Sequence, residues 1–523
     1  MEFEAIQVGI LSIVPPLIAI AFALKTREVV FSLLLGILSG TLIYSIASGL
    51  GVFATIHITS DLLVTKVGEN ASMLIFLSML GALVAVVTRA GGSRAYGLWA
   101  SKRLKSARGA SLSTVFLGLI FFIDDYFNCL TTGTIMRPVT DSYKISREKL
   151  AYLIDSTAAP ISIIAPVSSW AAAVISYYPV QAEMSGMQAF ISSIPMNLYA
   201  LLTIFMIFWL SLRQQDDYGP MRRAQIRAKE GQVEPGNKEE KSDEIAQITG
   251  SGKGLVLDMV IPVFFLVLFC ITAMLFYGGF HETKGSLGER IFEAFGHTDA
   301  GLALSLGGFG ALLVAFFLFI PRKVIKFSEF FSAITAGIKS MVPPIIILAL
   351  AWAISGVCRD LLSTGPYVAG LVEQSNFPVM LIPAIMFAIA AGLSFATGTS
   401  WGTFGILIPI VTSVCVVVAP WLSITALSAV LAGAVFGDHC SPISDTTILS
   451  STGAQCKFIN HVQTQIPYAA TVATVCFVGY IIAGSTSTLG YGISVAITLP
   501  TSFAMLTLTL LILPKIAKRI SQE

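Results

Sequence analysis

Hydrophobic residues fall along this chain in long blocks rather than in alternation. Blocks long enough to cross a bilayer as helices occupy 8–24, 28–48, 71–90, 190–212, 254–277, 299–320, 341–358, 465–484 and 490–514. Three further stretches, 109–138, 148–178 and 378–450, are as apolar but are interrupted by Pro, Gly and polar residues. The basic residues orient the blocks, because loops rich in Lys and Arg stay cytoplasmic. Such loops hold Lys25 and Arg27; Arg94, Lys102, Arg103, Lys105 and Arg108; Arg213, Arg222, Arg223 and Arg227; Arg322, Lys323 and Lys326; and Lys515, Lys518 and Arg519.

This orientation constrains the interrupted stretches. Residues 109–138 have Arg108 before them and Arg137, Lys144, Arg147 and Lys149 at or beyond their end. A hairpin entering and returning on the inside satisfies both flanks, and 148–178 then crosses outward as a broken helix. In the second half, 378–414 reads as a hairpin entered from outside and 420–450 as a second broken helix. The pattern predicts an all-α membrane protein of about 11 transmembrane helices plus two re-entrant hairpins. The N-terminus is expected outside and the C-terminus in the cytoplasm. Counting each hairpin as two full crossings preserves the same orientation, so charge leaves that alternative open. The polar segment 213–253 reads as a flexible cytoplasmic linker between a first half, 1–212, and a second half, 254–523.

Composition agrees. The 523 residues are 55% hydrophobic and 12% charged, about half the charge of an ordinary soluble protein. A formal net charge of +2 with no basic domain gives no reason to expect nucleic acid as a partner; the partner is the lipid bilayer. The acidic start "MEFEAIQ" reads as the lead into an uncleaved first helix rather than a signal peptide. Seven scattered cysteines, without a C-x-x-C pair, give no sign of disulfides or of a zinc site.

Candidate chemistry sits in the interrupted stretches, and the two halves echo each other. "TTGTIMRPV" (131–139) precedes "DSTAAPIS" (155–162), and "WGTFGILIPI" (401–410) precedes "DHCSPIS" (438–444). Inverted repeats of secondary transporters place such broken helices at mid-membrane. Pro160 and Pro442 each remove a backbone donor and are the expected helix breaks. Around them stand Asp155, Ser156 and Thr157, and Asp438, Ser441, Ser444, Asp445 and Thr446. Carboxylates, hydroxyls and freed carbonyls are hard oxygen ligands suited to a small hard cation. Half-helix N-termini in the same place favour anions. The first hairpin adds "FIDDYFNCLTTGT", with Asp124, Asp125 and Asn128, and the second adds Thr399. Ionisable residues within a membrane mark transport sites. Two adjacent carboxylates in a low dielectric do not readily both ionise, which suits a carrier of protons or sodium.

Plainer roles stand beside these. Asp124 and Asp125 could decorate a wetted hairpin tip, and Asp155 and Asp438 could cap half-helices. His439 is either a pH-responsive group or a buried neutral one. Arg137 fits the basic flank better than an anion site. Trp170 and Trp401 either gate a solute or pack. The "GILSG" of 36–40 packs helices closely, within the chain or across a dimer. An enzyme is not expected: G-x-G-D, Tyr-Asp within a span, H-E-x-x-H and the nucleotide-binding G-x-x-x-x-G-K-[ST] are all missing.

The strings "FIDDYFNCLTTGTIMRPVTD", "DSTAAPISIIAPVSSW", "ATGTSWGTFGILIPI" and "GDHCSPISDTTILSSTGA" resemble the NhaC-type family of sodium–proton antiporters, within the ion transporter superfamily. The resemblance implies secondary transport driven by Na+ and H+ gradients in a bacterial inner membrane, without a cofactor. It also implies a scaffold beside a moving transport domain, often in a homodimer. Na+/H+ antiport is the expected activity, with Na+ held at Asp155, Thr157, Asp438, Ser441 and Ser444. The alternative is sodium-coupled transport of a small organic solute, an amino acid or a carboxylate such as malate or lactate.

Overall fold

The computed structural model describes residues 4–520 apart from 27, 93–94, 96–98, 100–102, 179–183, 215–216, 232–251, 285, 365, 368–377 and 443. Arg27, Arg94, Lys102 and much of the 213–253 segment therefore lie outside the described residues, as does the side chain of Asp445. Helices account for all the regular structure among the described residues. The first half opens with α1 (Val14–Thr26), α2 (Val29–Ala47), α3 (Ala54–Glu69) and α4 (Ala71–Ala90). Next come α5 (Ala107–Ile120) and α6 (Asp125–Ser142), joined by the short turn 121–124. α7 (Arg147–Ser162) and α8 (Ser169–Tyr177) follow, separated by the irregular segment 163–168. α9 (Gly186–Ser193), α10 (Leu198–Leu212) and α11 (Gly219–Lys229) complete this half.

The second half repeats the order of parts. It opens with α12 (Leu257–Tyr277), α13 (Leu287–His297), α14 (Ala300–Phe319), α15 (Phe327–Ser340) and α16 (Val342–Gly356). α17 (Ile382–Thr397) turns at Gly398, with φ +70°, into α18 (Ser400–Val418). α19 (Ser423–Cys440) and α20 (Asp445–Ala454) flank the second break, and α21 (Phe458–Thr486) and α22 (Tyr491–Ile520) close the chain. Each half thus holds a helix–turn–helix followed by a helix–break–helix.

Among the described residues, eight helices are long and apolar enough to cross a membrane. The number is ten if each of two bent pairs counts as one span: Gly186–Met196 with Leu198–Leu212 at 47°, and Phe327–Ser340 with Ile345–Leu361 at 42°. The chain is a multi-pass membrane protein. The number falls below about 11 partly because α7 carries Arg147, Glu148, Lys149 and Asp155 and stops at Ser162, so neither α7 nor α8 spans alone. Outward-facing Phe264, Phe317 and Leu508 are exposed, as side chains that face lipid should be.

Close packing uses small residues, as membrane helices do without a hydrophobic force between them. The glycines of 36–40 serve the chain itself. A Cβ on Gly36 would meet Ile354, and one on Gly40 would meet Val357, both at the α16 end. α6 and α20, from opposite halves, cross at Gly133 and Gly453. A Cβ on Gly133 would sit 2.5 Å from the carbonyl carbon of Gly453.

Part of the expected linker is docked. α11 buries Met221, Ala224, Gln225 and Ala228, and Gln225 bonds Ser146 N and Lys144 O. Just before α11, Asp217 pairs with Lys149 at 2.8 Å and accepts from Tyr468 at 2.8 Å, all three buried.

Candidate functional site

The two breaks form by the same local chemistry. Pro160 lies in the last turn of α7, and the helix runs on to Ser162 before it breaks. The missing Pro160 N–H leaves the Ser156 carbonyl without its helical donor. Ser168 then bridges the break: its hydroxyl donates to Ser162 O at 2.7 Å and accepts from Ala171 N at 2.9 Å, capping α8. In the second half, Ser441 N donates to Asp438 O at 3.0 Å and Pro442 occupies the turn. Ser444 caps α20 by accepting from Thr447 N at 3.2 Å, and its hydroxyl lies 3.1 Å from that of Thr446. Serines therefore cap the half-helices. Asp155 stays mid-way along α7, and Asp438 sits in the last turn of α19.

Each hairpin tip is tied to its own broken helix by a serine–aspartate bond. In the first half, Asp124 ends the tip, and its Oδ2 accepts from Ser169 Oγ at 3.1 Å. In the second half, Ser400 begins α18 and donates to Asp438 Oδ2, also at 3.1 Å. The roles of tip and break are exchanged while the bond is the same. Trp170 and Trp401, each next to one of these serines, meet edge-to-face with centroids 6.0 Å apart. That contact brings the two halves together at their tips. Asp124, Asp125 and Asp438 are buried there. The N-termini of α6, α8 and α18 point partial positive charge at this region.

Asn128 and Thr157 hold the first hairpin in place. The Asn128 amide donates to Gly118 O at 2.7 Å and to Thr157 O at 3.1 Å, and accepts from Thr132. Thr157 donates within its own helix to Leu153 O and Ile154 O. A Cβ on Gly118 would collide with Thr157. Thr399 offers its carbonyl to Thr403.

Asp155 forms a second centre, wholly buried. Its Oδ2 accepts from Gln465 Nε2 at 2.6 Å and from Thr447 Oγ1 at 3.1 Å. Ser450 Oγ donates to Oδ1 at 3.3 Å, and His461 Nε2 lies 3.4 Å from Oδ2. Gln465 also donates to His439 O at 2.8 Å, which links this centre to the residue beside Asp438. His439 Nδ1 lies 3.1 Å from Tyr199 OH.

The structure thus brings Asp124 and Asp438 to the joined tips and sets Asp155 among donors from α20 and α21. Thr157 turns to the hairpin and not to Asp155. Sequence pattern alone did not single out Ser169, Ser400, Ser450, His461 or Gln465. His461 and Gln465 are four residues apart on one helix face in "HVQTQIP", a polar stripe entering an apolar helix, and that signal was available. Among the described residues no group of three His, Cys, Asp or Glu side chains could hold a metal ion.

Broken helices, buried carboxylates and repeated halves define an ion-coupled secondary transporter. A family model described as the Na+/H+ antiporter family matches residues 171–485, more than half the chain, and the protein belongs to that family. It is a transporter and not an enzyme. An uncharacterized protein of Haemophilus influenzae is 39% identical, over 93% of this chain and 93% of its own length. The malate-2H(+)/Na(+)-lactate antiporter of Bacillus subtilis is 28% identical over 37% of this chain and 41% of its own. The Na(+)/H(+) antiporter NhaC of Bacillus subtilis is 29% identical over 36% of this chain and 41% of its own.

Proposed function

We propose that this protein exchanges Na+ for H+ across the bacterial inner membrane by alternating access. The observation that carries the reading is the paired serine–aspartate bond at the two joined tips. It supplies buried carboxylates, hydroxyls and broken-helix carbonyls in one place, with Ser441, Ser444 and Thr446 on the adjoining break. A dehydrated Na+ needs such a set of hard oxygens, and a proton competes for the same carboxylates. Asp124, Asp125 and Asp438 are the core of this site in our reading. Ser156 contributes the carbonyl that Pro160 frees. The basic loops support an outside N-terminus and a cytoplasmic C-terminus.

A second reading has its own support. The indole N–H groups of Trp170 and Trp401 are buried and have no hydrogen-bond partner among the described residues. Two such donors where the halves meet would suit the carboxylate of a small organic solute carried with Na+. A relative is named for malate and lactate.

Purified protein in sealed liposomes with an internal pH dye separates the readings. An imposed Na+ gradient moves protons in the exchange reading, and Asp438→Asn removes the response while the protein still inserts and folds. Folded protein that moves no protons, but is thermally stabilised by carboxylates or amino acids only when Na+ is present, favours the solute reading.

A further inference from the structure

The α12–α14 pair carries a groove of about 730 Å³ that shares no residue with the hairpins or the breaks. Ligand pockets are commonly about 300–1,000 Å³. Phe269, Thr272 and Phe276 of α12 and Leu306 of α14 line it, and Phe280 and His281 belong to the turn at its end. A Cβ on Gly310 would meet the Phe269 ring at 2.6 Å, so the bare glycine makes room for that wall. Phe276 and Leu306 are exposed and continue the outward faces that hold Phe264 and Leu268 on α12 and Leu302 and Leu313 on α14. The groove therefore opens to the lipid.

Its interior offers no free polar group. Thr272 Oγ1 donates to Leu268 O at 2.7 Å and to Phe269 O at 3.1 Å, and so is satisfied within its own helix. Phe280 O accepts from Arg290 Nη2 at 2.9 Å and from Nε at 3.3 Å. A polar solute gains nothing there, while a hydrocarbon chain does. The end at Phe280 is different. Arg290 of α13 lies over the Phe280 ring, with its guanidinium carbon 4.1 Å from the centroid. It pairs with no carboxylate among the described residues, and its Nη1 donors are not used by any of them. Glu282 and Glu293 of the same connection are exposed. α13 backs onto this end of α12, where a Cβ on Gly278 would meet the Ala294 backbone.

We propose that the groove binds one phospholipid, with an acyl chain between Phe269 and Phe276 and the phosphate against Arg290. Depth supports this occupant. Tyr277, at the end of α12, is half exposed, and tyrosines gather where hydrocarbon meets the headgroups. From there the lining runs about 10 Å along α12 into the hydrocarbon, the direction in which an acyl chain lies. A guanidinium beside the mouth matches a phosphate in charge and geometry. A convex helix face meets every lipid alike, whereas a concave apolar wall beside an unpaired arginine selects one molecule with a phosphate at that height. The inference does not depend on Na+/H+ exchange.

The test uses full-length protein stripped of lipid in detergent. Phosphatidylglycerol, or diacylglycerol with the same chains but no phosphate, is added back. Bound lipid is counted by native mass spectrometry, and the unfolding midpoint is measured alongside, since a ligand of the folded state raises it. We expect one phosphatidylglycerol to be retained, a raised midpoint, and at least tenfold weaker retention of diacylglycerol. Thr272→Trp and Leu306→Trp fill the groove from opposite walls and should each lower retention at least tenfold. Arg290→Gln should abolish the preference for the phosphate-bearing lipid. Unchanged retention in both tryptophan variants overturns the site, and equal retention of the two lipids by the wild type overturns the phosphate contact. A wild-type dimer that both tryptophan variants dissociate makes the groove a subunit interface and overturns the proposal. If the tryptophan variants do not fold, wild-type protein with a phosphatidylglycerol bearing a photoreactive acyl chain decides. Cross-links concentrated at 269–281 and 306–310 support the site, and cross-links spread evenly over the lipid-facing helices overturn it.

Discussion

Replacing Gly133 by Ala tests whether the two halves meet through backbone contact at the site. The new Cβ would lie 2.5 Å from the Gly453 carbonyl carbon and 2.6 Å from its Cα. Carbon atoms sit comfortably at about 3.5 Å or more, so α6 and α20 must separate by roughly 1 Å. Both sides of the contact are backbone, so no side chain can swing away. Overpacking of this kind costs about 1–3 kcal/mol, and the helix preference of Ala over Gly returns up to about 1 kcal/mol. A net loss of about 1–2 kcal/mol follows. The displacement also reaches the candidate site, because Ser450, one turn before Gly453, bonds both Asp155 and Cys129. Thermal unfolding of detergent-solubilised protein should show a lower midpoint, and Na+-driven proton flux should fall with it. The control is Gly392→Ala, mid-helix in α17 with nothing within 4 Å of the new Cβ; it should leave stability unchanged or raise it. A Gly133→Ala protein as stable and active as wild type would refute the crossing and its link to Asp155.

Further outcomes follow from single contacts. Asn128→Ala removes the side-chain donor shared by Gly118 O and Thr157 O, about 0.5–1.5 kcal/mol for each hydrogen bond, and should lower the unfolding midpoint more than Thr132→Ala does. Lys149→Met strands Asp217 in a buried place and should destabilise by about 3–5 kcal/mol; Lys149→Met with Asp217→Leu should recover much of that loss in the same assay. Ser169→Ala and Ser400→Ala each remove one hydrogen bond to a carboxylate, worth about 1.5–3 kcal/mol. They should weaken Na+-driven flux to a similar degree, and a large inequality would show that the two tips are not equivalent.

The carboxylates were legible because charge inside an apolar block stands out whatever the tertiary structure. Asp124, Asp125, Asp155 and Asp438 needed no partner to be noticed. The serines that cap the half-helices were visible in the quoted strings, but the capping role was open to Asp155 and Asp438 as well. Which residue caps depends on where each helix stops, and α7 runs two residues past Pro160. His461 and Gln465 acquire their meaning only where α21 passes α7, a contact between residues about 300 positions apart. α3 and α15 carry charges such as Lys66 and Glu329 along otherwise apolar faces, so block length alone passes over them. α11 was hidden by its own basic residues, since its burial is supplied by surfaces distant in sequence.

Asp217 has a mechanical consequence. It grips Lys149, six residues before Asp155 on α7, and Tyr468, three residues after Gln465 on α21. The carboxylate and the amide that meet at 2.6 Å are thus pinned together a second time, about 5–9 Å along the helix axes. Two fastenings at different heights prevent sliding and rotation of one rod against the other. In the alternating-access exchange proposed above, any rocking motion must carry α7 and α21 as one stiff strut, with its hinges elsewhere in the chain.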